Sequence, residues 1–295
     1  MQSAHEQNSV SQGRASLKRP LAMPARVARF SLAPFLCLVD SRQIIYFLAR
    51  KRVVARYRGS ILGIVWSFIV PTLMLIIYTL VFGVVLESRW ATGESTTTEY
   101  AFLLYLGLCV YWLVSDCVSE APSLIQNHAN YVKKVVFPLE ILPWVSLADA
   151  LFHSAIRIAV FVIALTVFQG PPPLTILLLP FIWLPLCLWT LGLCWILAAA
   201  GAFLRDLREI MSLILVALLF LSPTFYSIKG VPEAARNLIM MNPISLPIMQ
   251  TRDVAYYGSV PDLWSWFLVL LFSLFFAWVG HAIFARSRGA FADVV

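Results

Sequence analysis

Three ionisable residues, Asp149, His153 and Arg157, recur at a spacing of four in a stretch that is otherwise apolar from 144 to 168. On a helix that spacing stacks all three on one face. An acid, an imidazole and a guanidinium aligned at membrane depth have two chemical readings. The first is a proton relay or anion site, the default for charge in lipid. The second is a structural group in which Asp149 and Arg157 offset each other's burial through His153 while facing the bundle interior. The structural reading is favoured, because a proton-driven carrier needs ionisable groups on several spans and this one alone is clearly charged near its middle. No Gly-Lys pair occurs, which excludes a Walker A phosphate loop, and GxSxG, HExxH and Cys/His metal patterns are missing as well. The chain therefore reads as a non-enzyme with no metal or cofactor of its own. If ATP drives it, another chain hydrolyses the nucleotide.

The elements that hold these residues read as membrane spans. Of the 295 residues, 60% are hydrophobic and 13% charged, against ~45–50% apolar content in a soluble domain. The clearest run follows RYRGS at 56–60, where residues 59–86 carry no Asp, Glu, Lys, Arg or His. As helix they would reach ~42 Å, more than the ~30 Å hydrocarbon core needs. Spans are expected at 61–86, 100–119, 144–168, 174–200, 210–226 and 263–280. Pro71 allows a bend in the first, Pro180 and Pro185 should kink the fourth, and QGPPP at 169–173 forces a break before it. The expected fold class is an all-α polytopic membrane protein with six transmembrane helices.

Residues 39–58 set Ile44, Phe47, Leu48 and Val54 at approximate helical spacing, with Arg42, Arg50, Arg52 and Arg56 largely elsewhere on the wheel. That is the pattern of an amphipathic helix lying in the inner interface; a solvated basic flank is the alternative. Residues 1–38 read as a cytosolic tail without a signal-peptide core, an organelle transit peptide being the other reading. Residues 228–262 hold apolar pieces too short to cross, NLIMM and ISLPIM. Short outer re-entrant helices fit that pattern, against an ordinary surface loop. The six-span transmembrane domain occupies 59–285, and 286–295 form a second tail. Of the Lys and Arg residues, 17 fall in segments that six spans put on one side and 4 on the other, so both termini are expected in the cytosol. The net charge of +7 reads as a topology and lipid-surface signal and not as nucleic-acid binding, since half of the 22 basic residues lie within the first 58. The five cysteines are expected to be free.

Aromatic residues are plentiful: Trp66, Tyr78 and Phe82 in the first span, Tyr105, Tyr111 and Trp112 in the second, Phe225 and Tyr226 in the fifth. Most such residues serve interfacial belts or packing. A stripe of them along a pathway would suit sugars, whose C–H faces stack on rings while phenol and indole groups bond their hydroxyls.

The run RYRGSILGIVWSFIVPTLMLIIYTLVFG at 56–83 resembles the signature of the permease subunits of ABC-2 type polysaccharide exporters, the Wzm-like O-antigen and teichoic acid transport permeases. NYVKKVVFPLEILP at 130–143, FLRDLREI at 203–210, SPTFY at 222–226 and NPISLPIMQTRDVAYYG at 242–258 are similar to further segments of that family, in order over residues 40–285. The resemblance implies a homodimer in a bacterial inner membrane, served by two copies of a separate ABC ATPase that binds ATP and Mg. It implies a lipid-linked polysaccharide as substrate. Within a coupling segment at 123–143, it makes Asn130, Tyr131, Lys133, Lys134, Phe137 and Pro138 the helix that docks on the ATPase. It assigns Arg56, Tyr57, Arg58, Gly59 and Ser60 to an interface helix and gate, Arg205 and Asp206 to the cytosolic mouth, and the eight aromatics above to candidates for the channel wall. An ABC-2 exporter of drugs or lipids, an ion-coupled carrier and a membrane-embedded transferase are the rival readings.

Overall fold

The computed structural model describes residues 33–85, 97–129, 137–204 and 206–294. Every regular element among them is helical. α1 (Ala33–Asp40) and α2 (Arg42–Tyr57) are joined at Ser41. A turn then leads to α3 (Trp66–Tyr78), α4 (Thr97–Val118), the single turn α5 (Leu124–Asn127) and α6 (Leu142–Phe168). α7 (Leu179–Phe203), α8 (Leu207–Phe220), α9 (Glu233–Met240), α10 (Ser245–Arg252) and α11 (Leu263–Val294) complete the order. Among the described residues, five stretches are long and apolar enough to cross a membrane: Gly63–Phe82, Thr98–Asn127, Leu139–Phe168, Leu174–Phe203 and Leu263–Phe291.

The first of these is three kinds of helix in succession, where the uncharged run predicts one long rod. A 3-10 turn at Gly63–Val65 precedes α3, and a π-helix at Thr79–Val85 follows it. Hydroxyls explain part of this, because Thr72 donates to the carbonyl of Phe68 at 2.8 Å and Thr79 to that of Leu75 at 2.7 Å. Such back-bonding competes with the helical ladder. Pro71 removes another donor from inside α3. In the fourth span Pro180 does not act as a kink. It occupies the first turn of α7, where its missing N–H has no intrahelical partner to lose, while Pro185 lies inside the helix.

The expected fifth span at 210–226 is shorter in the structure. α8 has 14 residues, or ~21 Å of helix. It ends before Pro223, and the turn beyond is held from outside by Arg252. That guanidinium, 4% exposed, donates to the carbonyls of Leu103 at 2.8 Å, Pro223 at 2.6 Å and Thr224 at 2.8 Å. A cation assigned by sequence to an outer loop is thus a buried clamp on broken backbone. Within 228–262 the two short apolar pieces do form helices, α9 and α10. A π-turn at Asp253–Tyr257 follows and closes at Gly258, whose φ of 71° suits glycine.

α4 is the hub. Leu103, Leu104, Tyr105, Leu106, Cys109 and Leu113 are fully buried, as befits a helix apolar on every side. It is wrapped by α6, α7, α10 and the π-helix after α3. α11 lies along α7, and their closest approach is glycine on glycine. A Cβ added at Gly280 would collide with the Gly192 carbonyl, and one at Gly192 would come within 2.9 Å of Ala277 Cα. Small residues at such a crossing let two apolar helices share van der Waals contact where lipid gives no hydrophobic drive. α11 does not stop where a tail is expected at 286; it runs on to Val294, with Phe284 and Phe291 buried. α2, the 120–128 segment, residues 137–141 and the end of α11 gather at one end of the bundle, hereafter the α2 end.

Candidate functional site

The trio on α6 is completed by residues from two other elements. α2 offers Arg52 and Arg56 four residues apart, and α6 offers Asp149 and His153 at the same interval, so the two faces match turn for turn. Arg56 Nη2 donates to Asp149 Oδ2 at 2.9 Å and Arg52 Nε approaches the same oxygen at 3.3 Å. Arg52 also donates to Ser146 Oγ at 3.1 Å and forms an ion pair with Glu120, at the foot of α4. Asp149 is 2% exposed, and two guanidiniums offset the cost of burying its charge.

His153 is fixed by similar means. Its Nδ1 lies 2.8 Å from the carbonyl of Asp149. A carbonyl only accepts, so Nδ1 carries the proton and Nε2 is left as acceptor. The Tyr57 hydroxyl lies 2.9 Å from that nitrogen and Arg56 Nη1 3.3 Å from it, both as donors. Burial pushes the Tyr57 phenol above its ordinary value, which keeps the hydroxyl protonated as this contact requires.

Asp149 and Arg157 do not offset each other, contrary to the sequence reading. Eight helical residues separate them by ~12 Å along the axis, and each has found a nearer partner. Arg157 Nη2 donates to Asp116 Oδ2 of α4 at 2.7 Å, and its guanidinium stands 5.3 Å from the centre of the Trp112 ring. That is a cation–π arrangement. Tyr105 donates to the Arg157 carbonyl at 3.2 Å. Between α3, α4 and α6 lies a cavity of about 390 Å³ whose walls include Arg56, Tyr57, Trp66, Trp112, Asp116, His153 and Arg157. Of its charged groups Arg157 and Asp116 pair with each other, and Arg56 pairs with Asp149 behind the wall, all set among aromatic faces.

The doorstep after α2 is a turn built on two glycines. Gly59 (φ 87°) and Gly63 (φ 53°) take left-handed backbone, with no atom within 4 Å of where a β-carbon would stand, so conformation and not space demands glycine there. Ser60 N–H donates to the Tyr57 carbonyl at 3.3 Å and Gly63 N–H to that of Ser60 at 3.2 Å. Arg58 is exposed. α2 buries Ile45 and Val53 against the bundle, whereas Ile44, Phe47 and Val54 of the expected apolar stripe are exposed.

The candidate channel aromatics divide. Tyr78, Phe82 and Phe225 form one group with Tyr100, with Phe82 centred 5.8 Å from Phe225 and 5.9 Å from Tyr100. Tyr226 donates to the carbonyl of Phe220 at 3.3 Å. Trp66 and Trp112 face the polar cavity. Tyr105 and Tyr111 are buried in the protomer, Tyr111 donating to the Leu215 carbonyl at 3.2 Å. Phe137 and Pro138 are placed beside the end of α11, where Arg288 donates to Glu140 at 2.9 Å and to the Phe137 carbonyl at 3.3 Å. Asp206 is exposed at the start of α8. Asn130, Tyr131, Lys133, Lys134 and Arg205 lie outside the described residues.

Sequence reasoning missed Arg52 as a partner of Asp149, for which the matched intervals of four, 52/56 and 149/153, were the available signal, and it missed Ser146 and Glu120, which carried none. Asp116 is the sole acid in the expected span at 100–119, and nothing in the sequence marks Arg157 as its partner. Arg252 carried no signal of burial.

The family described as ABC-2 type transporter matches residues 43–256. The chain is 27% identical over 260 residues to the O-antigen export system permease protein RfbA of Myxococcus xanthus, covering 88% of this chain and 97% of that protein. It is 27% identical over 255 residues to a protein of the same name from Klebsiella pneumoniae, covering 85% and 95%. To the polysialic acid transport protein KpsM of Escherichia coli it is 20% identical over 241 residues, covering 81% and 90%.

Proposed function

The chain belongs to the ABC-2 type transporter family, and on that footing we propose that it is the membrane-spanning subunit of an ABC exporter that moves a lipid-linked, O-antigen-like polysaccharide across a bacterial inner membrane. The observation that carries this reading is the near full-length likeness to two O-antigen export permeases. The energy comes from a partner ATPase that binds ATP and Mg, with two copies of each subunit in the assembly. The α2 end faces the cytosol together with both termini, and α2 rests in the headgroup layer with Ile44, Phe47 and Val54 toward lipid.

Six crossings follow if α8 counts as the fifth. Its ~21 Å leaves part of a ~30 Å core unspanned, and α9 with α10 re-enter from outside to fill that part. Arg252 makes this arrangement tenable, because broken backbone at membrane depth must have its carbonyls satisfied by protein. Residues 130–138 dock on the ATPase, Arg205 and Asp206 border the cytosolic mouth, and 56–60 form the gate. The Arg52 guanidinium then touches both the foot of α4, through Glu120 three residues before the coupling segment, and the third span, through Asp149. A pull on the coupling segment therefore reaches α2 and the gate through direct contacts, which supplies a physical link between ATPase and pathway. The aromatic and polar walls of the 390 Å³ cavity suit passing sugar rings.

The test is export itself. Deleting the gene should remove long-chain polysaccharide from the cell surface while the lipid-linked chains accumulate inside, and the intact gene should restore the surface ladder. An ATPase subunit should co-purify in detergent. Transport by the lone chain in a pH gradient would refute the proposal.

A further inference from the structure

At the α2 end lies a second polar cavity of about 390 Å³, walled by α2, the 120–128 segment, the start of α6 and Arg208 of α8. Its charges do not balance. Lys51, Arg52 and Arg208 line it with a single carboxylate, Glu120, and that carboxylate already pairs with Arg52, which also approaches Asp149. Lys51 and Arg208 have no ion pair or hydrogen bond among the described residues. α2 contains no Asp or Glu that could serve Lys51. The acids on either side of Arg208, Asp206 and Glu209, are exposed and do not line the cavity.

Two unpaired cations on the walls of one cleft repel each other, and their fields add within it. An anion between them turns repulsion into attraction. Phosphate suits this pair, because a guanidinium fork and an ammonium both make charge-assisted hydrogen bonds to its oxygens. Ser123, Asn127 and His128 add hydrogen-bonding groups to the same wall. The cavity floor says what the phosphate is attached to. It includes Leu124, Leu142 and Val145, all buried. A free ion would be desolvated by such a floor and gain nothing from it, whereas the carbons next to a lipid phosphate would be buried there favourably. Lys51 and Arg208 are exposed, so the cationic rim is open to an arriving headgroup.

We propose that this cleft binds the phosphate group of a lipid, held between Lys51 and Arg208 with its adjoining carbons on Leu124, Leu142 and Val145. Only the assignment to the cytosolic leaflet rests on the orientation given above. The site is distinct from the cavity between α3, α4 and α6, and Arg52 with Glu120 forms the wall nearest to it. When occupied, it clasps α2 to the start of α8 beside the segment that docks on the ATPase.

The experiment titrates phosphatidylglycerol, with diacylglycerol of the same chains in parallel, into the delipidated full-length protein and counts bound lipid by native mass spectrometry. Wild type should retain phosphatidylglycerol and not diacylglycerol. Lys51→Gln and Arg208→Gln should each weaken retention about fivefold, the effect of one basic residue at a lipid surface, and together at least tenfold. Arg42→Gln with Arg50→Gln removes the same charge from α2 outside the cavity and should bind as wild type. All four side chains are exposed, so every variant should elute as the wild type does. Equal retention by the Lys51→Gln, Arg208→Gln double variant and wild type would overturn the proposal. An equal loss in the Arg42→Gln, Arg50→Gln variant would do so too, by reducing the site to the general basicity of α2. Equal retention of diacylglycerol, or displacement of the lipid by millimolar inorganic phosphate, would overturn it as well, the first by removing the phosphate and the second by making the cleft a site for a soluble anion. Failure of the export reading shows separately, in the surface polysaccharide assay.

Discussion

Asp149 is the residue on which the site turns. It is nearly inaccessible and serves Arg56 and Arg52 together, so its removal leaves Arg56 without a carboxylate and Arg52 with Glu120 alone. Breaking a buried pair from one side costs ~3–5 kcal/mol, and Asp149→Ala should lower the melting temperature of the purified protein accordingly. In a double-mutant cycle, Asp149→Ala with Arg56→Met should lose less than the sum of the two single losses; strict additivity would remove the pair from any stabilising role. Arg157→Leu should reduce folded yield more than transport per folded molecule, because the guanidinium serves Asp116 and the Trp112 face within the protomer. Normal yield with abolished export would give Arg157 a transport role instead. The chemistry of these residues was visible in sequence and their pairing was not. A spacing of four says which side chains share a face, yet the partner of Asp149 lies 93 residues away, and nothing local encodes that distance.

The elements were legible wherever hydrophobic length alone defines them, as in 144–168, which the structure extends by two residues to α6. They were less so where polar atoms inside the backbone decide. The π-helix after Tyr78 begins at a threonine whose hydroxyl bonds back to the preceding turn, and the turn after α8 is held by an arginine that arrives from α10. Glycine contacts were equally silent, since sequence cannot tell a glycine that bends a chain from one that admits a neighbouring helix. Gly280 is of the second kind. Gly280→Leu should push α11 off α7 and cost at least the ~1–3 kcal/mol of an overpacked core, read as lost folded yield by fluorescence-detected gel filtration. Gly280→Ala should lie between. Wild-type yield for Gly280→Leu would mean that the two helices separate freely.

At the scale of the whole molecule, α3, α8 and α11 leave large apolar faces uncovered, with Leu73, Leu213 and Phe275 among the exposed residues. In a soluble chain such patches would aggregate; in a multi-pass membrane protein they suit lipid. Coupling to the ATPase is the property that needs the assembled complex. Changing Lys133 and Phe137 to Ala should reduce substrate-stimulated ATP turnover in that complex several-fold while the permease stays folded, and unchanged turnover and export would take both residues out of the coupling role. The family could be read from sequence because its motifs are local strings. The span expected at 210–226 is less sharply defined, because its helix α8 has 14 residues and the chain beyond it forms the short helices α9 and α10.

The shared guanidinium of Arg52 also bears on how the chain is made. α2 leaves the ribosome well before Glu120, and earlier still than Asp149, so during synthesis its arginines have no acidic partners and must wait in the aqueous layer. Only when the third span has entered the bilayer does the counter-charge exist, and α2 can then be locked against it. The contacts of Asp149 with Arg52 and Arg56 therefore join residues made early in synthesis to one made more than ninety residues later.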